Sequence, residues 1–141
     1  MGYKIINLKD IYNNLGENRT KGILHDYKCE LNKDVEYFLK EKAIEFSKQD
    51  ISRTYIVMSQ YKDRDVIVGY FAITNKVTSI KKVKLSETKR KKLLKFAVYD
   101  KESRCYNIAL PLIGQLGKNY YNNYKSNFSY FQLLRRFSSA F

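Results

Sequence analysis

Glycine is scarce in this chain, six residues in all, and none follows Gly117. A backbone cradle for a phosphate group needs small residues where a strand gives way to a helix, so the stretch beyond Gly117 is poorly suited to one. Histidine is scarcer still. His25 lies alone in a polar stretch and reads as a surface or capping residue, and no cluster of His, Cys and Asp stands at metal-ligand spacing, so no metal is expected. Cys29 and Cys105 are far apart and match no ligand pattern. They read as reduced, buried or half-buried thiols, and Cys105 has no nearby base to make a papain-like dyad. Long apolar runs are missing too. Nothing approaches the roughly 18 residues of a membrane span. The N-terminus M-G-Y-K-I-I-N-L-K has neither the apolar core of a signal peptide nor, with Ile6, the hydroxyl residue that myristoylation wants. A soluble, cytoplasmic protein with no membrane association is expected.

Acidic residues are the other shortage: 14 Asp and Glu stand against 27 Lys and Arg, for a formal net charge of +13. No acid occurs after Glu102. Such a field draws polyanions, nucleic acid, anionic lipid or a phosphorylated cofactor among them; a lysine-rich solvated surface gives the same count. What is present is a foldable chain. With 141 residues, 44% hydrophobic and 15% aromatic, it suits one domain with a core that needs no staples.

Residues 3–6 suit a short strand, followed by a weak helix from Asn7 or Asp10 to Gly16 and a loop or second helix through I-L-H-D-Y. Residues 33–48 read as a helix: Val35, Phe38, Leu39, Ala43 and Phe46 fall on one face, with Asn32 as N-cap and Asp34 and Glu36 in the first turn. Two β-branched, aromatic runs, 53–60 and 66–74, predict strands joined by the loop Y-K-D-R-D, and Gly69 suggests a bulge or close backbone approach. A turn at Asn75 is expected to lead to a third strand over 77–85, with Val83 and Leu85 on one side. Ser86 then caps a short helix over 87–96, and D-K-E-S-R turns into a last strand over 105–116. Pro111 marks a bulge or edge there. The order predicts an α+β, mixed α/β layer with helices on a mostly antiparallel sheet.

Chemistry-bearing clusters are few, and no residue is singled out as catalytic. Asp63 with Asp65, and Glu17 with Asp26, look like loop and surface charge. From Lys76 to Lys95 the sequence holds nine Lys or Arg and one acid, followed by Tyr106, Tyr120, Tyr121 and Tyr124. That pairing suits phosphate neutralisation and base stacking, but no GXXG or RNP motif accompanies it, so a solvated face is favoured and nucleic acid is a possible partner that is not favoured.

Four segments in order, C-E-L-N-K-D-V-E-Y-F-L-K-E-K-A-I-E-F (29–46), T-Y-I-V (54–57), I-V-G-Y-F-A-I (67–73) and P-L-I-G-Q-L-G-K-N-Y (111–120), resemble the N-terminal portion of the GNAT superfamily, bacterial branch. These are acyl-CoA-dependent N-acyltransferases. The resemblance implies a GNAT-like layered fold, acetyl-CoA as cofactor and an unknown amine as acceptor. It puts Gln115, Leu116, Gly117 and Lys118 on the cofactor-contacting strand, where backbone groups orient the pantetheine arm and polarise the acyl carbonyl.

Beyond residue 120 the pattern departs from the family. A loop of the type R/Q-x-x-G-x-G/A is expected there, opening the helix that holds the cofactor's pyrophosphate, but Phe128, Tyr130 and Phe131 stand where small residues are needed. The expectation is therefore a GNAT-like portion over 1–127 and an atypical aromatic, basic tail over 128–141, C-terminally incomplete, with doubtful activity. The unpaired edge of 105–116 is expected to pair with a second copy or to be covered by the tail. The alternative is a non-enzymatic binding module that uses the basic 76–95 face for nucleic acid or an acidic partner.

Overall fold

The computed structural model describes residues 2–121 and Arg135. Apart from Arg135, the tail expected over 128–141, its boundary at 127/128, and the rings of Phe128, Tyr130 and Phe131 lie outside the described residues. The chain divides into two compact units, one of Met1–Thr74 with Ile113–Phe141, the other Asn75–Leu112.

The first unit begins with β1 (Tyr3–Asn7) and α1 (Leu8–Leu15). Asn7 caps that helix, its Oδ1 accepting from the Lys9 N–H at 2.9 Å, and Gly16 ends it with a φ of +82° that a side chain would resist. After α2 (Glu17–His25), Asn32 caps the next helix by accepting from Asp34 N–H and Val35 N–H, as its position before the apolar stripe predicts. The 33–48 helix is real but not uniform. α3 (Lys33–Tyr37) passes through a π-helical turn (Phe38–Lys42) into α4 (Ala43–Lys48).

β2 (Arg53–Tyr61) pairs antiparallel with β1 and with β3 (Arg64–Lys81). The hairpin between β2 and β3 is tighter than expected. Tyr61 pairs with Arg64, and Lys62 and Asp63, at φ of +47° and +61°, form the whole turn. Two consecutive left-handed residues match the right-handed twist of the flanking strands. The bulge suggested by Gly69 is present: Val57 pairs with Gly69 and Met58 with Ile67, leaving Val68 without an opposite residue.

Side chains alternate across these strands, and both faces are buried. Ile56, Ile67 and Tyr70 meet Leu8, Leu24, Tyr27, Val35, Leu39 and Ala43 on the helical side. Val57, Val68, Phe71 and Ile73 form the second cluster, with Tyr3, Ile5, Tyr55 and Leu116 against it. Each fully buried Leu, Ile or Phe contributes roughly 1.5–3 kcal/mol, so these two clusters supply the main drive for folding.

In the second unit β3 runs straight through Asn75. The expected turn there and a separate strand over 77–85 are not found, because V-T-S-I continues the β-branched run and nothing breaks it before Lys81. Lys82–Lys84 form a 3₁₀ turn that leaves Val83 83% exposed. α5 (Glu87–Leu93) follows, with Ser86 Oγ accepting from the Lys89 N–H as its cap. The sequence did not reveal β4 (Ala97–Asp100), only four residues long, which pairs antiparallel with β5 (Cys105–Lys118), Ala97 opposite Ile108 and Asp100 opposite Cys105. Asp100 closes the turn between them by accepting from Glu102 N–H and Ser103 Oγ; the Ser103 hydroxyl, then the Glu102 amide, holds its carboxyl below the usual range. The strand order is β1-β2-β3-β5-β4, an α+β fold on an antiparallel sheet with flanking helices.

Candidate functional site

The bulge at Val68 turns consecutive carbonyls of β3 toward the end of β5, and Asn119 takes both. Its backbone N–H donates to Val68 C=O at 3.0 Å, and its Nδ2 donates to Ile67 C=O at 2.7 Å and Asp26 C=O at 3.3 Å. Its Oδ1 accepts from Lys28 N–H and Tyr121 N–H, each at 2.9 Å. One side chain, 2% exposed, thus joins β3, β5 and the 26–28 loop. Sequence reasoning missed Asn119, since an Asn after a strand reads as turn chemistry.

Upstream of that clasp, β5 has an open side. β4 pairs only with Cys105–Ile108, so the edge expected to be bare over 105–116 is covered for its first four residues by the chain's own strand. Past Ile108, no strand among the described residues lies on that side. Pro111, expected at a bulge or edge, falls in this stretch, where a missing N–H breaks no pairing with β4.

The predicted cofactor-contacting residues follow. Gln115 is half-buried; Leu116 packs into the second core cluster; Lys118 is half-buried, its Nζ 5.6 Å from the Tyr120 ring centre. Gly117 faces the first core, where a Cβ would sit 2.1 Å from the Tyr27 hydroxyl and 2.5 Å from Val35 Cγ1. These side chains point to different surroundings. What the four residues have in common is extended backbone beside an open edge.

Beside Gly114 and Gln115 is a cavity of about 240 Å³, lined also by Phe38, Phe46, Ile51, Ser52, Ala72 and Thr74. Its wall is anchored by the π turn carrying Phe38, which meets Phe46 edge to face at 5.6 Å. The underlying helix is held by two polar contacts. Tyr70, fully buried, donates its hydroxyl to Val35 C=O at 2.6 Å, and burial pushes its phenol well above the ordinary range. Glu36 accepts from Cys29 N–H at 2.9 Å and from Lys40 Nζ at 3.0 Å. The Cys29 amide, aided by Lys40, holds the Glu36 carboxyl below its ordinary 4.5. A lowered pKa means stability that is fully present above the ordinary value and is lost as pH falls through the lowered one. Glu36→Gln is expected to remove about 1–2 kcal/mol at pH 7 and nothing at acid pH, so that its urea midpoint converges with that of the parent as pH drops below 4. A gap constant with pH would show that the carboxylate charge plays no part.

No protein-family model matches the sequence, and no curated protein sequence matches it either. Solved structures do match in three dimensions. AtaT complexed with acetyl-methionyl-tRNAfMet superposes with a TM-score of 0.61 at 16% identity, over 99% of this chain and 68% of that one. A tyrosine-to-phenylalanine mutant of KacT gives 0.61 at 15% identity, over 99% of this chain and 69% of that one. An AtaT toxin mutant of the same type gives 0.53 at 14%, over 83% and 57%. The fold is GNAT-like. At these identities the likeness concerns fold, and the chain spans 57–69% of the length of these structures.

Within this GNAT-like fold the remaining candidates fall plainly. His25 is exposed at the end of α2. Cys29 and Cys105 are free and buried. Among the described residues no group of His, Cys, Asp and Glu could hold a metal, and no helix is long and apolar enough to cross a membrane. Tyr106, considered for base stacking, is instead buried against Tyr99 at 4.9 Å between ring centres. Tyr124 lies outside the described residues. The basic run is exposed at Lys81, Lys84, Lys89, Lys91, Lys92 and Lys95.

Proposed function

We propose that this chain is an acetyl-CoA-dependent N-acyltransferase whose amine acceptor is the aminoacyl end of a tRNA. The observation that carries the reading is the open side of β5 beyond Ile108. An extended backbone that faces no strand among the described residues on that side suits the two amides of a pantetheine arm, as an added strand suits a sheet edge. The residues that would hold that arm are Gln115, Leu116, Gly117 and Lys118, through their main chain. When bound, acetyl-CoA supplies an activated acyl thioester. This chain's share is orientation: β5 is pinned by Asn119, and backbone N–H groups beside the acyl carbonyl favour the negative charge that develops there.

Charge and the AtaT likeness support this acceptor class, since that structure contains acetyl-methionyl-tRNAfMet. Asn75–Leu112 holds eleven Lys and Arg against three acids, a field suited to a phosphate backbone. Calorimetry with acetyl-CoA and with acetyl-pantetheine, its nucleotide-free fragment, tests the cofactor half. Because no glycine follows Gly117, the nucleotide is expected to add little, and the two Kd values to agree within about tenfold. Binding of neither ligand would overturn the reading of β5. A preference for acetyl-CoA of over a hundredfold would reveal a phosphate site that the sequence hides. Acetyl transfer from radiolabelled acetyl-CoA to a mixed pool of aminoacyl-tRNA tests the acceptor half. Lys89→Glu, Lys91→Glu and Lys92→Glu together are expected to weaken tRNA binding and flatten its salt dependence, by up to about three in log–log slope.

A further inference from the structure

Within the Asn75–Leu112 unit, Phe96 is 77% exposed, whereas the other described phenylalanines, Phe38, Phe46 and Phe71, are half-buried or buried. A phenyl group has no polar handle to satisfy in water, so nothing is gained by leaving it outside unless a partner covers it. Its backbone is held from both sides. Leu94 N–H donates to Arg90 C=O at 3.0 Å and Phe96 N–H to Leu93 C=O at 2.9 Å, so the chain stays coiled from α5 up to the ring. The next residue, Ala97, opens β4 opposite Ile108. Arg90 in turn donates from Nη2 to Lys82 C=O at 3.0 Å, tying α5 to the 3₁₀ turn. A side chain carried between a helix end and a paired strand costs little further ordering when a ligand arrives. The surroundings are cationic. Lys95 precedes the ring, Lys92 stands four residues before it, the spacing of one helical turn, and Lys89 and Lys91 lie on the same short helix; all four are exposed. From Thr88 to Tyr99 no acid occurs, and the next one, Asp100, is engaged by Glu102 N–H and Ser103 Oγ.

We infer that Phe96 is a stacking platform for an unpaired nucleotide base, with Lys89, Lys91, Lys92 and Lys95 holding the phosphates on either side of it. A single-stranded nucleic acid is the partner that matches both features at once, since its bases are planar and apolar-faced and its backbone is anionic. A second copy of this chain would bring +13 against +13, a repulsive pairing. This role deepens the tRNA reading above and rests on it: tRNA offers unpaired bases in its loops and at its acceptor end, where duplex RNA offers none. Tyr106, the aromatic nearest in sequence that was expected to stack on bases, is buried, and Phe96, inside the basic run itself, takes that part.

The chain has no tryptophan, so Phe96→Trp in the full chain places a single fluorophore at the site. A tRNA pool and a short single-stranded RNA are expected to quench its emission as bases stack on the indole, and the same RNA annealed to its complement is expected to leave it unchanged. Phe96→Ala and Phe96→Leu are each expected to weaken tRNA binding about tenfold while the log–log salt slope stays that of the parent, because stacking releases no counterions. Phe96→Tyr, which keeps a ring, is expected to bind within about twofold of the parent. Emission of the Phe96→Trp variant that does not move when tRNA binds would overturn the stacking role, and this readout stands whether or not the truncated variants fold. Full binding by Phe96→Leu would also overturn it, since any apolar side chain would then serve. So would a blue shift with phosphatidylserine vesicles and no response to RNA, which would turn the ring toward a membrane. Quenching by unpaired RNA with no acetyl transfer to any aminoacyl-tRNA would uphold the platform and sink the acceptor reading. Acetyl transfer to aminoacyl-tRNA that Phe96→Ala leaves unchanged, without quenching, would do the reverse.

Discussion

Asn119→Asp is expected to cost about 3–5 kcal/mol at neutral pH and to recover part of that loss on acidification. The change swaps one nitrogen for one oxygen, yet that nitrogen donates to Ile67 C=O at 2.7 Å and Asp26 C=O at 3.3 Å. An ionised carboxylate would face two carbonyl oxygens at a site only 2% exposed. The other oxygen keeps its acceptor role toward Lys28 and Tyr121, so the variant's carboxyl, once protonated, restores one of the two lost donations. Repulsion and burial both raise the folded pKa of the new carboxyl above its unfolded value of about 3.9. A raised pKa favours folding below the unfolded value, and the advantage is lost as pH rises toward the folded one. The gap between variant and parent in urea midpoints should therefore widen from pH 4 to pH 7. Asn119→Ala, which removes every contact of the side chain, should show a large loss without that slope. A pH-independent gap for the Asn119→Asp variant would mean that the amide nitrogen does not donate as described.

The clasp also explains which parts of this fold were legible in the sequence. Elements set by local chemistry read clearly: the Asn32 cap, the Val35–Leu39–Ala43 stripe, the Ser86 cap and the bulge at Gly69 each follow from a few neighbouring residues. Elements decided by pairing partners did not. β3 crosses Asn75 because its neighbours continue, and β4 has four residues whose only reason to be a strand is Cys105–Ile108 beside it. The π turn at Phe38–Lys42 was equally invisible, since an apolar stripe looks much the same with one extra residue in a turn. The family-like stretch 111–120 falls on β5 and the residues just after it, but its pattern did not reveal where each side chain faces. Gln115, Leu116 and Gly117 turn out to face a cavity, the second core and the first core in turn. Asn119 lay in that same stretch, and its four distant partners could not be read from its neighbours.

The two glycines of β5 are expected to respond oppositely to the same methyl group. At Gly114 an added Cβ meets nothing closer than 3.9 Å, so Gly114→Ala should leave stability unchanged or raise it slightly by restricting the unfolded chain. At Gly117 it would lie 2.1 Å from the Tyr27 hydroxyl, 2.5 Å from Val35 Cγ1 and 2.8 Å from Tyr70 Cε1. None of the three can retreat cheaply. Tyr27 and Tyr70 are fully buried and pack edge to face at 5.3 Å, and the Tyr70 hydroxyl is tied to Val35 C=O. Overpacking of this kind costs about 1–3 kcal/mol in ordinary cores, and three simultaneous overlaps place Gly117→Ala at or above the upper end. Tyr27→Phe deletes the nearest overlapping atom, so the double variant should be less damaged than the sum of the single ones, with a coupling of about 1 kcal/mol or more in urea melts. Strict additivity would show that the backbone shifts to admit the methyl and that Tyr27 is not the obstacle. The pair also separates fold from function at the proposed cofactor strand. Loss of acetyl-pantetheine binding in Gly117→Ala should track the unfolded fraction, because an added methyl there points into the core and the role proposed for this residue is main chain alone. Gly114→Ala, folded and with the open edge intact, should bind as the parent does.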